Sequence, residues 1–205
     1  EISPSALPWQ STYKLLTGSI VPRPIGWVSS VDARGVPNLA PFSFFNVVCA
    51  NPPTLLFCPM VRATDGISKD TLNNVRATGE FVVNIVTEAL AEAMNITAVE
   101  IDSSVDEFAL AGLRTAPSVT VRPPRVAASP IHFECRLREI VEISSQPGGG
   151  AVVIGIVQHI HVDERVLIGA DKIDPLALQP IGKLAGNTYA HVADLFEVSR
   201  PASQI

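Results

Sequence analysis

Residues 131–167 read IHFECRLREIVEISSQPGGGAVVIGIVQHIHVDERVL, and this stretch decides the fold class. IHFECRLREIVEI (131–143) and AVVIGIVQHIHVDERVL (151–167) are long runs rich in β-branched residues, which suit a pleated strand. SSQPGGG between them reads as a hairpin turn. Its glycines lead into a strand, so no helix start follows to present amides to a phosphate. Two long strands joined this way point to an antiparallel sheet.

Working outward, the same pattern recurs. IGWVSSV (25–31), the turn DARG with Asp32 and Gly35, and VPNLAPF (36–42) read as a hairpin. SFFNVVCA (43–50) and TLLFCPM (54–60) are two further strands parted by NPP, and EFVVNIV (80–86) is another. One helix lies among them, starting in GISKDTLNNV (66–75). Ser68 or Asp70 can cap it, Leu72 and Val75 give it an inward stripe, and Gly79 stops it. Residues 87–130 form an excursion, with a helix from Thr87 to about Ala98 and a short one in VDEFALAGL (105–113). RTAPSVTVRPPRVAASP (114–130) carries too many prolines for a regular element and reads as a surface loop. Hairpin-linked strands without alternating βα units favour a closed or partly closed antiparallel barrel over a doubly wound sheet.

The 205 residues suit one domain, 1–205, with residues 1–12 as an N-terminal arm. A hydrophobic fraction of 47% against 17% charged describes a globular protein with an apolar bias. The net charge of −5 argues against nucleic acid as a partner. No apolar run reaches the ~18 residues needed to cross a bilayer, so no membrane role is expected. Cys49, Cys58 and Cys135 are widely spaced in apolar surroundings and read as free thiols of a reducing cytoplasm.

Two stretches carry chemistry. The helix start around Ser68, Lys69 and Thr71 combines exposed amides, hydroxyls and a lysine, which suits an anion, although GxxxxGK[ST] is absent from the chain. A capping sequence with a solvated lysine is the other reading. In NLAPFSFFN (38–46) neither alternating side is cleanly apolar, and Pro41 interrupts the ladder. Backbone groups freed there could address the edge of a flat heteroaromatic ring, unless the phenylalanines are simply core. Together, the two stretches suit a phosphorylated aromatic cofactor. His159 and His161 share a strand face, but His132 and His191 lack matching spacing, so no metal site is expected. GxGxxG after a strand is absent too, so no dedicated Rossmann unit for NAD(P)H is expected.

The segments YKLLTGSIVPRPIGWVSSVDARGVPNLAPFSFFNVVCANPPTLLFCP, KDTLNNVRATGEFVVNIV, DEFALAGL, PPRVAASPIHFECRL, VVIGIVQHIHVDERVL and QPIGKLAGNTYA resemble, in order, the flavin reductase-like, FMN-binding split-barrel family in its flavoredoxin-type branch. The resemblance runs from about Tyr13 to Pro201. It implies a mainly β fold, an antiparallel six-stranded split β-barrel with a few short peripheral helices, and a homodimer with FMN at its interface. The anion would be the FMN 5′-phosphate, held by Ser29, Ser30, Ser68, Lys69 and Thr71, with Asn46 and Asn74 near the ribityl chain or phosphate. The backbone of Ala40, Pro41, Phe42, Ser43 and Phe44 would border the isoalloxazine edge. Arg23 would add positive charge or serve the fold, His161 would position a nicotinamide or be an ordinary partly exposed histidine, and Tyr189 would be a lid or a packing residue. Cys49, Lys183 and Ala185 depart from the serine, arginine and glycine usual at those places.

The expected activity is that of an NAD(P)H:flavin oxidoreductase, with NADH or NADPH as a transient donor and a monooxygenase or electron-transfer protein as partner. The alternatives are a flavoredoxin-like FMN electron carrier reduced by a protein, and a β-barrel binding module without flavin.

Overall fold

A computed structural model describes residues 1–202. The strands of its main sheet are β1 (Gly26–Val31), β2 (Pro37–Phe42), β3 (Phe45–Ala50), β4 (Pro53–Phe57), β5 (Glu80–Ile85), β6 (Ile131–Ser144) and β7 (Gly150–Val162), beside three small two-stranded ladders. Its helices are α1 (Trp9–Ser19), α2 (Asp70–Thr78), α3 (Ala91–Ile96), α4 (Glu107–Leu110) and α5 (Pro175–Leu178). The main-sheet strands lie in the order β2-β1-β5-β6-β7-β4-β3, every neighbouring pair antiparallel.

The sheet therefore has seven strands, where the resemblance implied six. Each of the seven apolar runs read from the sequence supplies one. One of the two outer strands, β3, is exposed throughout after Phe45. The sheet is rolled, because Phe42 on β2 packs against Phe57 on β4, with ring centroids 4.9 Å apart, although four strands lie between them in the order. The outer strands β2 and β3 are joined through Ser43 and Phe44, and among the described residues no ladder pairs them.

One core fills the roll, with Val28, Phe42, Phe45, Phe57, Phe81 and Val153, closed at one end by Leu72 and Val75 of α2. A second core lies on the outer face, where Trp27 and Leu39 meet Leu90, Met94, Phe108 and Val126 of the excursion. All six residues of β1 are buried for this reason: alternate side chains enter different cores.

The excursion differs in detail from expectation. The helix expected over 87–98 is a 3-10 turn (Glu88–Leu90) followed by the six-residue α3. The loop 114–130 contains a small ladder, Thr115–Ala116 with Arg125–Val126. Buried polar groups of the outer face fasten it. Asn84 Nδ2 donates to Trp27 O (2.9 Å) while its Oδ1 accepts from Val126 N (2.8 Å), and Ser29 Oγ donates to Pro124 O.

At the N-terminus, α1 starts inside the stretch expected to be an arm. Arg23 fixes its end: Nη1 donates to Thr17 O (2.6 Å) and Ile20 O (2.7 Å), Nη2 to Leu184 O (2.8 Å). The guanidinium supplies donors to carbonyls at a helix C-terminus, which have no partners within the helix.

Candidate functional site

The site is built around the start of α2. The helix begins at Asp70, so Lys69 occupies the capping position, and no side chain caps it among the described residues. This departs from the expected Ser68 or Asp70 cap. Lysine carries no acceptor, and the Asp70 carboxylate is turned to Arg62 Nη2 at 2.6 Å. The first-turn amides are thus left without a side-chain acceptor, at the positive end of the helix dipole. Gly79 ends the helix as expected, at φ 70°, its N–H bonding Val75 O.

Asn38, Ala40, Pro41, Arg62, Lys69, Thr71, Glu100 and Glu107 wall a pocket at this helix start. Arg62 bonds Asp70 through Nη2, and its Nη1 lies 3.6 Å from Asp65, yet its Nε is buried without a partner among the described residues. Lys69 Nζ stands 4.0 Å from Glu100 Oε1, and the other Glu100 oxygen accepts from the Thr64 hydroxyl at 2.6 Å. Glu107 is buried and accepts from Asn38 Nδ2 (2.7 Å) and Leu39 N (3.1 Å). Burial pushes its carboxyl above the usual range, against those hydrogen bonds and with the Asp70 charge adding to the rise.

The structure brings Ser30, Lys69, Thr71 and Asn74 together, with Ser68 half-buried next to Lys69. Thr71 Oγ1 and Ser30 Oγ both donate to Asn38 Oδ1, at 2.7 and 3.3 Å, and Asn74 Nδ2 donates to Ser30 at 3.1 Å. Ser29 is not among them, since adjacent strand residues point to opposite faces and its side chain lies under the excursion loop. Ala40 and Pro41 line the pocket, but Phe42 points into the barrel core. Ser43 accepts from Arg23 Nε at 3.3 Å, and Phe44 packs near Tyr13, centroids 6.4 Å apart. Asn46 sits on the exposed edge of β3, its Oδ1 bonded to Val47 N. Tyr189 pairs in register with Lys183, whose Nζ lies 3.8 Å from the ring centroid.

His161 lies elsewhere, lining a separate cavity with Arg125, Ser129, His132 and Asp163. Its Nε2 is 2.6 Å from Glu134 Oε1. Glu134 is fully buried, which would raise its pKa. Hydrogen bonds from the Thr120 hydroxyl, His161 and the amides of Val119 and Thr120 outweigh that and lower it to about 2. His132 donates through Nε2 to Val126 O at 2.9 Å, and burial lowers its pKa to about 4.

Sequence reasoning missed Arg62, Asn38 and Glu107. Arg62 reaches Asp70 across a loop whose path no spacing rule gives. Glu107 meets its partners 68 and 69 positions away in the chain.

The family described as flavin reductase like domain matches residues 17–178. The chain belongs to this family. Among solved structures, this flavin reductase-like chain is similar to nitrilotriacetate monooxygenase component B from Bacillus cereus, with 37% identity and a TM-score of 0.91 over 97% of this chain and 98% of that one. It is also similar to the 2-nitrobenzoate 2-nitroreductase NbaA of Pseudomonas fluorescens, with 31% identity and a TM-score of 0.88 over 98% and 96%. A split-barrel protein of Shewanella frigidimarina NCIMB 400, 21% identical over 96% of each chain at a TM-score of 0.83, shares the fold.

Proposed function

We propose that this flavin reductase-like chain binds FMN and catalyses hydride transfer to it from NADH or NADPH, passing the electrons on to a monooxygenase or another electron-accepting protein. One observation carries the reading. Lys69, Arg62 and Thr71, at a helix start that no side chain caps among the described residues, line one pocket together with Ala40 and Pro41. That donor set fits a phosphate. Lys69 and Arg62 would hold the phosphate, and the backbone from Ala40 onward would border the ring. Bound FMN supplies a ring that accepts hydride, and the chain's own part is to hold, orient and shield it. Glu100, which now shares Lys69, would yield that contact to the phosphate.

The same reading makes the molecule a homodimer. Family membership supports it, as does the B. cereus protein, itself a monooxygenase component. An anaerobic visible spectrum of the protein with FMN, before and after NADH and then NADPH, tests it. Bleaching of the flavin band by either nucleotide is the expected result and names the donor. A bound flavin that neither bleaches indicates a carrier reduced by a protein, and no flavin binding overturns the reading.

A further inference from the structure

The pocket's two walls are tied to one buried carboxylate. Glu107 opens α4, and Asp106 caps that helix through the amides of Phe108 and Ala109, which fixes where the Glu107 carboxylate stands. Its Oε2 takes the amide of Leu39, just before Ala40 and Pro41 on β2, and its Oε1 takes Asn38 Nδ2. A carboxylate only accepts, so it decides which way the Asn38 carboxamide lies. The amide nitrogen must face Glu107, which leaves the oxygen for the hydroxyls of Thr71 and Ser30. Thr71 is the second residue of α2, so this oxygen anchors the first turn of the helix whose start and preceding lysine line the pocket. Asn38 is 9% exposed and Glu107 6%, so these bonds form in largely buried surroundings where each counts for more than in water.

We propose that Glu107 and Asn38 are positioning residues for the flavin site, an inference that rests on the FMN reading above. Glu107 orients Asn38, and Asn38 holds the start of α2 where Lys69 and the helix amides meet the phosphate. A corollary concerns Thr71. Its single hydroxyl proton is committed to Asn38, so that hydroxyl is not a donor to the phosphate, and its contribution passes through the helix it anchors.

The test exchanges acceptor and donor. Asn38→Asp sets two carboxylates face to face and should weaken FMN binding about tenfold, with a smaller loss for riboflavin, which lacks the phosphate. Adding Glu107→Gln restores every bond with the roles reversed: the new amide nitrogen donates to position 38, and its oxygen still accepts from Leu39 N. The double variant should therefore recover FMN affinity and the FMN-to-riboflavin ratio. Amide hydrogen exchange of residues 70–73 without flavin should accelerate in Asn38→Asp and return to the wild-type rate in the double variant. An unchanged single variant, or a double variant no better than the single, overturns the proposal. Failure of the wild type to bind FMN would sink the FMN reading instead, and the exchange measurement would still decide whether these residues position α2. Should Asn38→Asp not fold, recovery of folding in the double variant supports the exchange of roles, and its absence overturns it.

Discussion

At the scale of single residues, Lys69 carries the sharpest expectation. Its ammonium sits at the capping position of α2, with one carboxylate contact at 4.0 Å. Lys69→Ala should weaken FMN binding by about 1.5–3 kcal/mol, the range of a hydrogen bond to a charged group. Riboflavin should lose far less. Fluorescence titration of both ligands checks this, and equal losses would remove the lysine from the phosphate. His132 carries a second expectation, about stability. Burial lowers its pKa from 6.5 to about 4, so between those values the unfolded chain binds a proton that the folded chain refuses. Stability should fall as pH drops from 6.5 toward 4, by about 3 kcal/mol in all. Urea unfolding over that range, compared with His132→Gln, checks it: the variant should be flatter there. The helix that starts beside Lys69 was legible in the sequence because its apolar stripe and its terminal Gly79 are local signals. Arg62 and Glu107 were not, because each meets its partners only after the loop and the excursion have folded back on the barrel.

At the scale of elements, the decisive contacts are polar groups that fasten the excursion to the sheet's outer face. Asn84 satisfies one donor and one acceptor of different segments, and both would be orphaned by Asn84→Leu. Leaving buried backbone groups unpaired should destabilise the protein by about 2–4 kcal/mol. Thermal unfolding measures it, and a loss below ~1 kcal/mol would mean that water or another side chain replaces the asparagine. The strands were legible as apolar runs because β-branched residues and hairpin turns act locally. β1 is buried along its whole length, Ser29 and Ser30 included, and the reason is visible only in three dimensions, since it is sandwiched between two cores. Helix α1 was not legible. Its exposed Leu15, Leu16 and Ile20 give no clean stripe, and its end is set by the Arg23 bonds to carbonyls rather than by a terminal glycine.

At the scale of the whole molecule, the outer strand β3 bears on assembly. Asn46, Val47, Val48, Cys49 and Ala50 are all exposed, and Val47 retains 66% of its surface. An edge strand normally protects itself with a charge, a proline or a covering segment, because its free N–H and C=O groups recruit other strands. FNVVCA has neither charge nor proline. A second copy of the chain laid against this face would cover the valines without disturbing the barrel core, which stands on Phe45 and its neighbours. Light scattering should therefore give about twice the chain mass of 21.8 kDa. Val47→Lys, which places a charge on the uncovered edge, should shift the protein toward monomer while its thermal unfolding stays close to wild type, since the residue touches no core. A wild-type monomer that holds flavin would reject the homodimer and leave the pocket at α2 complete within one chain. A dimer that survives Val47→Lys would move the interface away from β3, to another exposed apolar surface such as the face of α1 that carries Leu15 and Leu16.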